Sequence, residues 1–174
     1  RDAAWLGVDL SFQGFAEEMA ALPGCYAPSQ GRLWCAELDG KPVGCVGIRP
    51  FSEGTCEMKR LYVEPEARGH GAGHALALAG IRAAKELGYK RILLDTMPAM
   101  RMAVKLYREL GFKEAPAYYN TPIEGTIFLA LDAWIDSTLY EAGFKAGQAW
   151  EAITIFFRRF RTRGFKRGVV EVRS

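Results

Sequence analysis

The sequence predicts an α/β fold, with a mixed, partly parallel central sheet flanked by helices. Two observations carry this prediction. Short apolar segments with strand-like spacing alternate with longer segments of helical periodicity, and a glycine-rich loop joins one such strand to a long helix. A strand, helix, strand order requires a crossover between parallel strands. The 174 residues suffice for one domain with a substantial core.

The first third of the chain predicts one helix and three strands. Residues 12–22 have helical spacing and end at a Pro-Gly pair. The apolar stripe of this helix consists of Phe12, Phe15, Met19 and Leu22. Strands are predicted at 33–38, 43–48 and about 55–63, and an Asp-Gly sequence between the first two indicates a hairpin.

The next segments predict the crossover and the far side of the sheet. A helix rich in Ala and Leu follows the glycine loop and ends at Leu87, and it is apolar on more than one side, as expected of a helix buried against a sheet. A strand at 91–95, a helix at 101–110 and strands near 112–118 and 126–131 follow. A glycine after each of these two helices favours termination there.

Composition changes near residue 132, which we take as the boundary between a body, residues 1–132, and a C-terminal extension, residues 133–174. Residues 134–174 contain eight Lys or Arg and four Asp or Glu, whereas the body is nearly neutral. The basic run at 158–167 also contains Phe, a composition found where proteins bind nucleic acid. A solvated extension is nevertheless the favoured interpretation, so no nucleic-acid partner is predicted.

Composition also disfavours several classes of protein. No apolar run approaches 18 residues and the first residues lack a signal-peptide pattern, so we expect no membrane span or secretory signal. Cys35 and Cys45 fall on apolar strand segments, which favours free thiols, so we expect a reducing, cytoplasmic setting. The four cysteines form no C-x-x-C pair and the two histidines are residues 70 and 74, so no metal site is predicted. The chain starts without Met in the region of its first helix, which indicates that residues precede Arg1.

The loop Arg68-Gly69-His70-Gly71-Ala72-Gly73 is suited to a pyrophosphate. Glycines lack Cβ and let backbone N–H groups converge at the positive end of the following helix, where an anion is stabilised. Arg68 can add a charge-assisted hydrogen bond. A tight turn would also use glycines for steric reasons, so the loop alone leaves both interpretations open. It matches neither G-x-G-x-x-G nor a P-loop.

Two motifs in this order resemble the GNAT superfamily of N-acetyltransferases. The segment from Glu57 to Gly73 resembles the family's strand, R/Q-x-x-G-x-G/A turn and helix, with Arg68, Gly71 and Gly73 at the fixed positions. Residues 103–112, A-V-K-L-Y-R-E-L-G-F, are similar to its A-x-x-L-Y-x-x-L-G-F motif. The resemblance covers roughly residues 1–132 and implies an acetyltransferase domain with acetyl-CoA as co-substrate.

The resemblance also implies where acetyl-CoA binds. Its pantetheine would lie between the strand at 57–63 and the strand at 91–96, paired with backbone groups of the first, and a backbone amide there would polarise the thioester carbonyl. The alternative role for the side chains on that strand is to pack in the core without contacting the cofactor. The binding residues implied are Leu61, Val63, Arg68, Gly69, His70, Gly71, Ala72, Gly73 and Ala103.

Tyr107 and Glu57 are the catalytic residues that the resemblance implies. Tyr107 would be the general acid that protonates the departing thiolate, and its alternative role is to pack its ring on the core. Glu57 would be the general base, although a lone Glu on a strand more often faces solvent. Asp95 and Glu53 are poorer candidates for the base.

The sequence departs from the family pattern at three places. Met100 stands where many members have Asn, the family's first strand is missing before the first helix, and the extension matches nothing in the family core. Without that strand the edge at 33–38 would be open, which is a liability. We predict that 152–157 or 169–172, both rich in β-branched residues, fills this edge. The donor would be the same chain or a second copy in a homodimer; the alternative is a helical or disordered extension.

The function predicted is transfer of acetyl from acetyl-CoA to a primary amine of a small molecule or peptide by direct attack. A non-catalytic acyl-CoA-binding sensor and an interaction module that works through the basic extension are the alternatives. The acceptor itself has no signature in the sequence. A nearly neutral body with Arg60, Tyr118 and Tyr119 available favours a small metabolite over a basic protein tail.

Overall fold

The computed structural model describes residues 15–132, 153–158 and 167–170, which form one eight-stranded mixed sheet with helices on its faces. Its elements in chain order are α1 (Phe15–Ala20), β1 (Arg32–Leu38), β2 (Lys41–Ser52), β3 (Thr55–Val63), α2 (Ala72–Glu86), β4 (Arg91–Thr96), α3 (Arg101–Glu109), β5 (Lys113–Glu114), β6 (Ile127–Asp132), β7 (Ile153–Arg158) and β8 (Arg167–Val170). The strands lie in the order β5-β6-β4-β3-β2-β1-β7-β8. The predicted α/β class is confirmed.

Strands β1 to β3 form the predicted antiparallel meander, and β4 joins it in parallel. Asp39 and Gly40 form the two-residue turn between β1 and β2, with φ of 52° and 76°. Positive φ at both positions matches the right-handed twist of the strands, which explains the Asp-Gly signal. Helix α2 makes the crossover from β3 to β4, as the strand, helix, strand order predicts.

Helix α2 packs closely on one face of the sheet. A Cβ added at Gly80 would lie 2.9 Å from Met58 Cε and 3.4 Å from Ile48 Cδ1, so glycine permits this approach. Buried residues of α2 and α3 share one core cluster with those strand residues. Gly47 faces the other way, where the ring of Tyr26 occupies the space a side chain would fill. The sheet therefore has an apolar face under α2 and α3 and a second face near Tyr26.

Several predicted boundaries differ from the structure. The strand expected near 112–118 is confined to Lys113–Glu114, because Pro116 has no N–H for a ladder and the chain then turns. The first helix covers Phe15–Ala20 rather than 12–22, and residues 12–14 lie outside the described residues. Strand β2 extends over Lys41–Ser52 and is therefore longer than the predicted 43–48.

The prediction that the extension fills the open edge is confirmed, and the same chain provides the strand. Strand β7 pairs antiparallel with β1, from Trp34 opposite Phe157 to Leu38 opposite Ile153. The second predicted run contributes to β8, which pairs with β7. The boundary at residue 132 and the homodimer stay predictions.

We expect Ile155→Pro to lower stability, because β7 lies between β1 and β8 and proline removes a ladder donor. Removing the extension after Asp132 should do the same by exposing the β1 edge. A loss of about 1 kcal/mol corresponds to a fall of roughly 2–4 °C in Tm. Thermal unfolding and light scattering measure both effects, with Ile155→Thr as the matched control. A truncated chain that stays monodisperse with unchanged Tm would contradict the prediction.

Candidate active site

A gap opens between β3 and β4 on the C-terminal side of their pairing. The two parallel strands pair only at Thr55 with Arg91, Cys56 with Ile92 and Glu57 with Leu93. From Met58 and Leu94 onward the strands no longer pair with each other, although β4 continues to pair with β6 as far as Thr96. The two strands between which pantetheine is predicted to lie therefore diverge.

A β-bulge in β3 bends the strand beside this gap. Lys59 lies opposite Gly47 and Tyr62 opposite Cys45, so Arg60 and Leu61 together face one residue of β2. Arg60 has a φ of 59°, which is uncommon for a residue other than glycine. The Cys45 thiol donates a hydrogen bond to the Arg60 carbonyl at 3.2 Å. Such a bulge redirects the strand and its backbone groups.

The backbone of Val63 faces away from β2. Glu64 donates its N–H to the Val43 carbonyl on β2 at 2.8 Å, so its main-chain groups face β2. Main-chain direction alternates along an extended strand, so the groups of Val63 face the other way, whereas Leu61 lies within the bulge. Their half-buried side chains also pack against the core. Both interpretations given to these residues are therefore compatible with the geometry, and their contact with pantetheine stays a prediction.

The glycine loop forms an exposed turn at the start of α2. Gly69 and Gly71 have φ of 79° and 78°, a conformation that glycine adopts without strain. Gly71 is the N-cap of α2 and accepts the N–H of Ala75 at 3.0 Å. A Cβ on Gly73 would lie 3.7 Å from Val63 and 3.8 Å from Leu106, which places the start of α2 beside β3 and α3. The N–H groups of the first turn, which have no partner within the helix itself, thus lie next to the gap.

Arg68, His70 and His74 differ in their surroundings. Arg68 donates from Nε to the Val63 carbonyl at 3.0 Å, and its guanidinium lies 5.9 Å from the centre of the Tyr62 ring. His70 is exposed, whereas His74 is half-buried rather than solvent-exposed. Burial lowers the pKa of His74 despite the nearby Glu109 charge, which favours a neutral ring. Contacts of Arg68 and His70 with phosphate stay predictions.

Tyr107 is buried on α3, with 7% of its surface exposed. Its ring packs edge-to-face on Phe112 with centroids 5.7 Å apart. Burial raises the pKa of Tyr107 well above its usual range, and the charge of Asp95 adds to the effect. A phenol that keeps its proton at neutral pH can donate it to a thiolate. Ala103, one turn earlier, is half-buried against the same core.

Glu57 is almost completely buried, at 1% exposure, and does not face solvent. Its Oε2 accepts from Arg49 Nε at 2.8 Å and Nη2 at 2.6 Å. Its Oε1 accepts from the Tyr118 hydroxyl at 2.9 Å and lies 3.3 Å from Lys59 Nζ. Both oxygens are therefore engaged by neighbouring side chains, and the role of Glu57 as a base stays a prediction.

Glu57 belongs to a chain of six alternating charges on the face of the sheet opposite α2. In order, the members are Arg60, Glu18, Arg49, Glu57, Lys59 and Asp95, and the successive ion pairs measure 2.7, 3.2, 2.6, 3.3 and 2.6 Å. Three positive and three negative groups cancel, so this chain is neutral. Most of its members are largely buried, where an unpaired charge is costly.

Sequence reasoning missed this network because its partners are far apart in the chain. Glu18 and Arg60 are 42 positions apart, and Lys59 and Asp95 are 36 apart. One signal could have found part of it: Glu57 and Lys59 share one face of β3, and Arg49 is the register partner of Glu57 on β2.

Glu18 closes the end of the network near α1. Burial alone would raise the pKa of its carboxyl, but hydrogen bonds from Arg60 and Tyr26 and the charges of Arg60 and Arg49 outweigh burial and lower that pKa. Glu18 therefore stays ionised at neutral pH and links α1 to β2 and β3.

An aromatic cluster lies on the same face as the network. Its members are Phe51, Tyr118, Tyr119 and Phe128, with neighbouring ring centroids 5.1 to 5.3 Å apart in edge-to-face arrangements. The ammonium of Lys59 lies 5.6 Å from the centre of the Tyr119 ring. The acidic end of the network, at Asp95, is therefore bordered by aromatic side chains.

The divergence of two parallel strands beside a glycine turn is compatible with an acyl-CoA site, and comparison with known proteins identifies the family. Residues 5–112 match the model of the acetyltransferase (GNAT) family, and the chain belongs to this family of N-acetyltransferases. No helix among the described residues is long and apolar enough to cross a membrane.

The chain is 40% identical over 128 residues to an uncharacterized N-acetyltransferase of Schizosaccharomyces pombe, an alignment that covers 72% of this chain and 78% of the relative. A GNAT family acetyltransferase of Staphylococcus aureus has a similar fold, with a TM-score of 0.62 at 21% identity over 72% of this chain and 81% of that one. The structure of a GNAT acetyltransferase from Elizabethkingia anophelis with acetyl-CoA bound gives a TM-score of 0.55 at 20% identity, over 73% and 86% of the two chains.

We expect Gly71→Asp to weaken acetyl-CoA binding at least tenfold, about 1.4 kcal/mol, because it places a carboxylate where phosphate charge must approach. Gly71→Asn is the matched control, since Asn tolerates the same left-handed conformation without the charge. Calorimetry on both folded variants measures the affinities. Equal affinity of the Asp variant and the unmodified protein would exclude the turn as the phosphate site.

Proposed function

We propose that this chain transfers acetyl from acetyl-CoA to a primary amine of a small molecule or peptide, by direct attack of the amine on the thioester. The observation that carries the proposal is the gap between β3 and β4, which opens after Glu57 and Leu93 beside the glycine turn. Backbone groups directed at this gap suit pantetheine, and the first turn of α2 suits pyrophosphate. In this proposal, the binding residues inferred from sequence contribute to these two places.

In this reaction the amine nitrogen bonds to the carbonyl carbon, the C–S bond breaks, and the thiolate sulfur takes a proton. Tyr107 is the donor in our proposal, because it is buried close enough to Asp95 for the carboxylate to affect it and it remains protonated at neutral pH. A backbone N–H beside the bulge stabilises the developing negative charge on oxygen. Glu57 is the base inferred from the sequence, although its carboxylate is surrounded by Arg49, Lys59 and Tyr118.

The amine approaches, in this proposal, from the face that carries the charge network and the aromatic cluster. The apolar face of the sheet is covered by α2 and α3, whereas Tyr118 and Tyr119 are only half-buried and Phe51 is 44% exposed. This opening favours a compact amine over a long basic segment. The proposal keeps the predicted cytoplasmic setting, with which the four cysteine thiols are compatible.

The proposal is tested by release of free thiol from acetyl-CoA in the presence of primary amines. The panel contains 2-phenylethylamine, 1,4-diaminobutane, lysine amide and a short peptide with a free N-terminus. We expect at least one amine to raise the rate above acetyl-CoA hydrolysis and to yield its N-acetyl product by mass spectrometry. Tight acetyl-CoA binding without any amine-dependent thiol release would instead support the acyl-CoA sensor.

We expect Tyr107→Phe to lower kcat by roughly 100-fold with little change in acetyl-CoA affinity, because only the proton donor is lost. Tyr89→Phe is the matched control, since the Tyr89 hydroxyl donates to the Gln30 carbonyl at an exposed position. Steady-state kinetics and calorimetry measure the two quantities. A fully active Tyr107→Phe would leave Tyr107 with its packing role alone.

A further inference from the structure

Asp95 lies at the gap, on the part of β4 that β3 no longer covers. The last pair between these strands joins Glu57 and Leu93, two residues before Asp95, which pairs with Phe128 of β6 on its other side. Leu94 points into the core under α2, so its neighbour Asp95 points to the face of the charge network. The carboxylate of Asp95 therefore lies where an amine entering from that face meets the gap.

Asp95 is more accessible than Glu57. Its side chain is 14% exposed, against 2% for that of Glu57. Among the described residues, Lys59 Nζ pairs with Asp95 Oδ1 at 2.6 Å and the Tyr119 hydroxyl is close to the same carboxylate, whereas two cations and the Tyr118 hydroxyl surround Glu57. A carboxylate must reach the proton that it removes, and Asp95 satisfies this requirement better.

Asp95 is also close to Tyr107, the proposed proton donor to the leaving thiolate. Its charge raises the pKa of Tyr107, after the larger effect of burial, and it does the same for Tyr118 and Tyr119. The ionisable groups around it are Lys59 and Glu57 from β3, Tyr107 from α3, and Tyr118 and Tyr119 from the segment before β6. Near neutral pH these tyrosines keep their protons, which leaves Asp95 as the accessible acceptor.

We propose that Asp95 is a catalytic residue that binds the ammonium form of the acceptor and removes its proton. The inference rests on the proposed function. The N–H bond breaks as the carboxylate takes the proton, and the neutral amine then attacks the thioester carbon. Because the substrate enters as a cation, a carboxylate beside the aromatic ring of Tyr119 also gives the site its preference for basic amines.

Lys59 and Glu57 are positioning residues in this proposal. Lys59 fixes the Asp95 carboxylate through Oδ1, and Glu57 and the ring of Tyr119 fix Lys59 in turn. Lys59 and Glu57 thus hold the Asp95 carboxylate at one place. Glu57, the base inferred from sequence, acts in this proposal through Lys59.

The test compares kcat/KM of Asp95→Asn with that of Glu57→Gln. The substrates are the panel amine with the highest kcat/KM and an analogue of it that carries fluorine on the carbon next to the amine-bearing carbon. The analogue has a similar shape, but fluorine lowers the pKa of its ammonium group, so a larger fraction is neutral at neutral pH. We expect Asp95→Asn to lower kcat/KM about 100-fold for the basic amine at neutral pH and to regain activity as pH rises. For the fluorinated amine, kcat/KM should fall far less in the same variant. Glu86→Gln, exposed at the C-terminal end of α2, is the matched control.

Acetyl-CoA affinity and Tm show whether each variant is folded. If Asp95→Asn unfolds because Lys59 is left unpaired, the double variant Lys59→Gln with Asp95→Asn removes both charges and gives the same readout. Asp95→Glu should restore part of the activity. Unchanged kcat/KM in Asp95→Asn, an equal loss for both amines, or a pH-dependent loss confined to Glu57→Gln would overturn the proposal. If the unmodified protein acetylates no amine, the proposed function fails, and this inference fails with it.

Discussion

The architecture of the site depends on the point at which β3 and β4 stop pairing. Two parallel strands share hydrogen bonds for three residue pairs and then diverge, so the remaining backbone groups need other partners. Strand β3 stays paired with β2 on both sides of the bulge at Arg60 and Leu61, so β3 leaves β4 without leaving the sheet. Tyr107 lies on the apolar side of the diverging strands, and Asp95 lies on their charged side.

Charge neutrality is the second constraint on this site. Six ionised side chains from α1 and three strands are placed in alternation, so each buried charge has an oppositely charged neighbour. Removing one partner of a buried pair commonly costs about 3–5 kcal/mol, because the other is left without compensation. By contrast, the pair of Arg108 and Glu114 is largely exposed, so it contributes little to stability.

The sequence predicted the parts of the molecule that depend on local chemistry. Periodicity located β3, α2 and β4, and the left-handed conformation of Gly69 and Gly71 explains the glycine loop. An open edge beside β1 was expected from the sequence, and β7 pairs with that edge. The charge network could not be predicted, because residues far apart in the chain meet only after the sheet forms. The site residues therefore remain predictions from motifs, whereas their surroundings come from the structure.

The pairing of β7 with β1 has a consequence for how the chain is made. Leu38 and its partner Ile153 are more than a hundred residues apart, so the loop closed by this contact is among the longest in the molecule. Closing a long loop has an entropic cost, and such contacts form late in folding. On the ribosome, β1 has no β7 to pair with while everything up to β6 is being synthesised. An edge strand without its partner can pair with other chains, so a chaperone that shields extended segments would act at this edge during that interval.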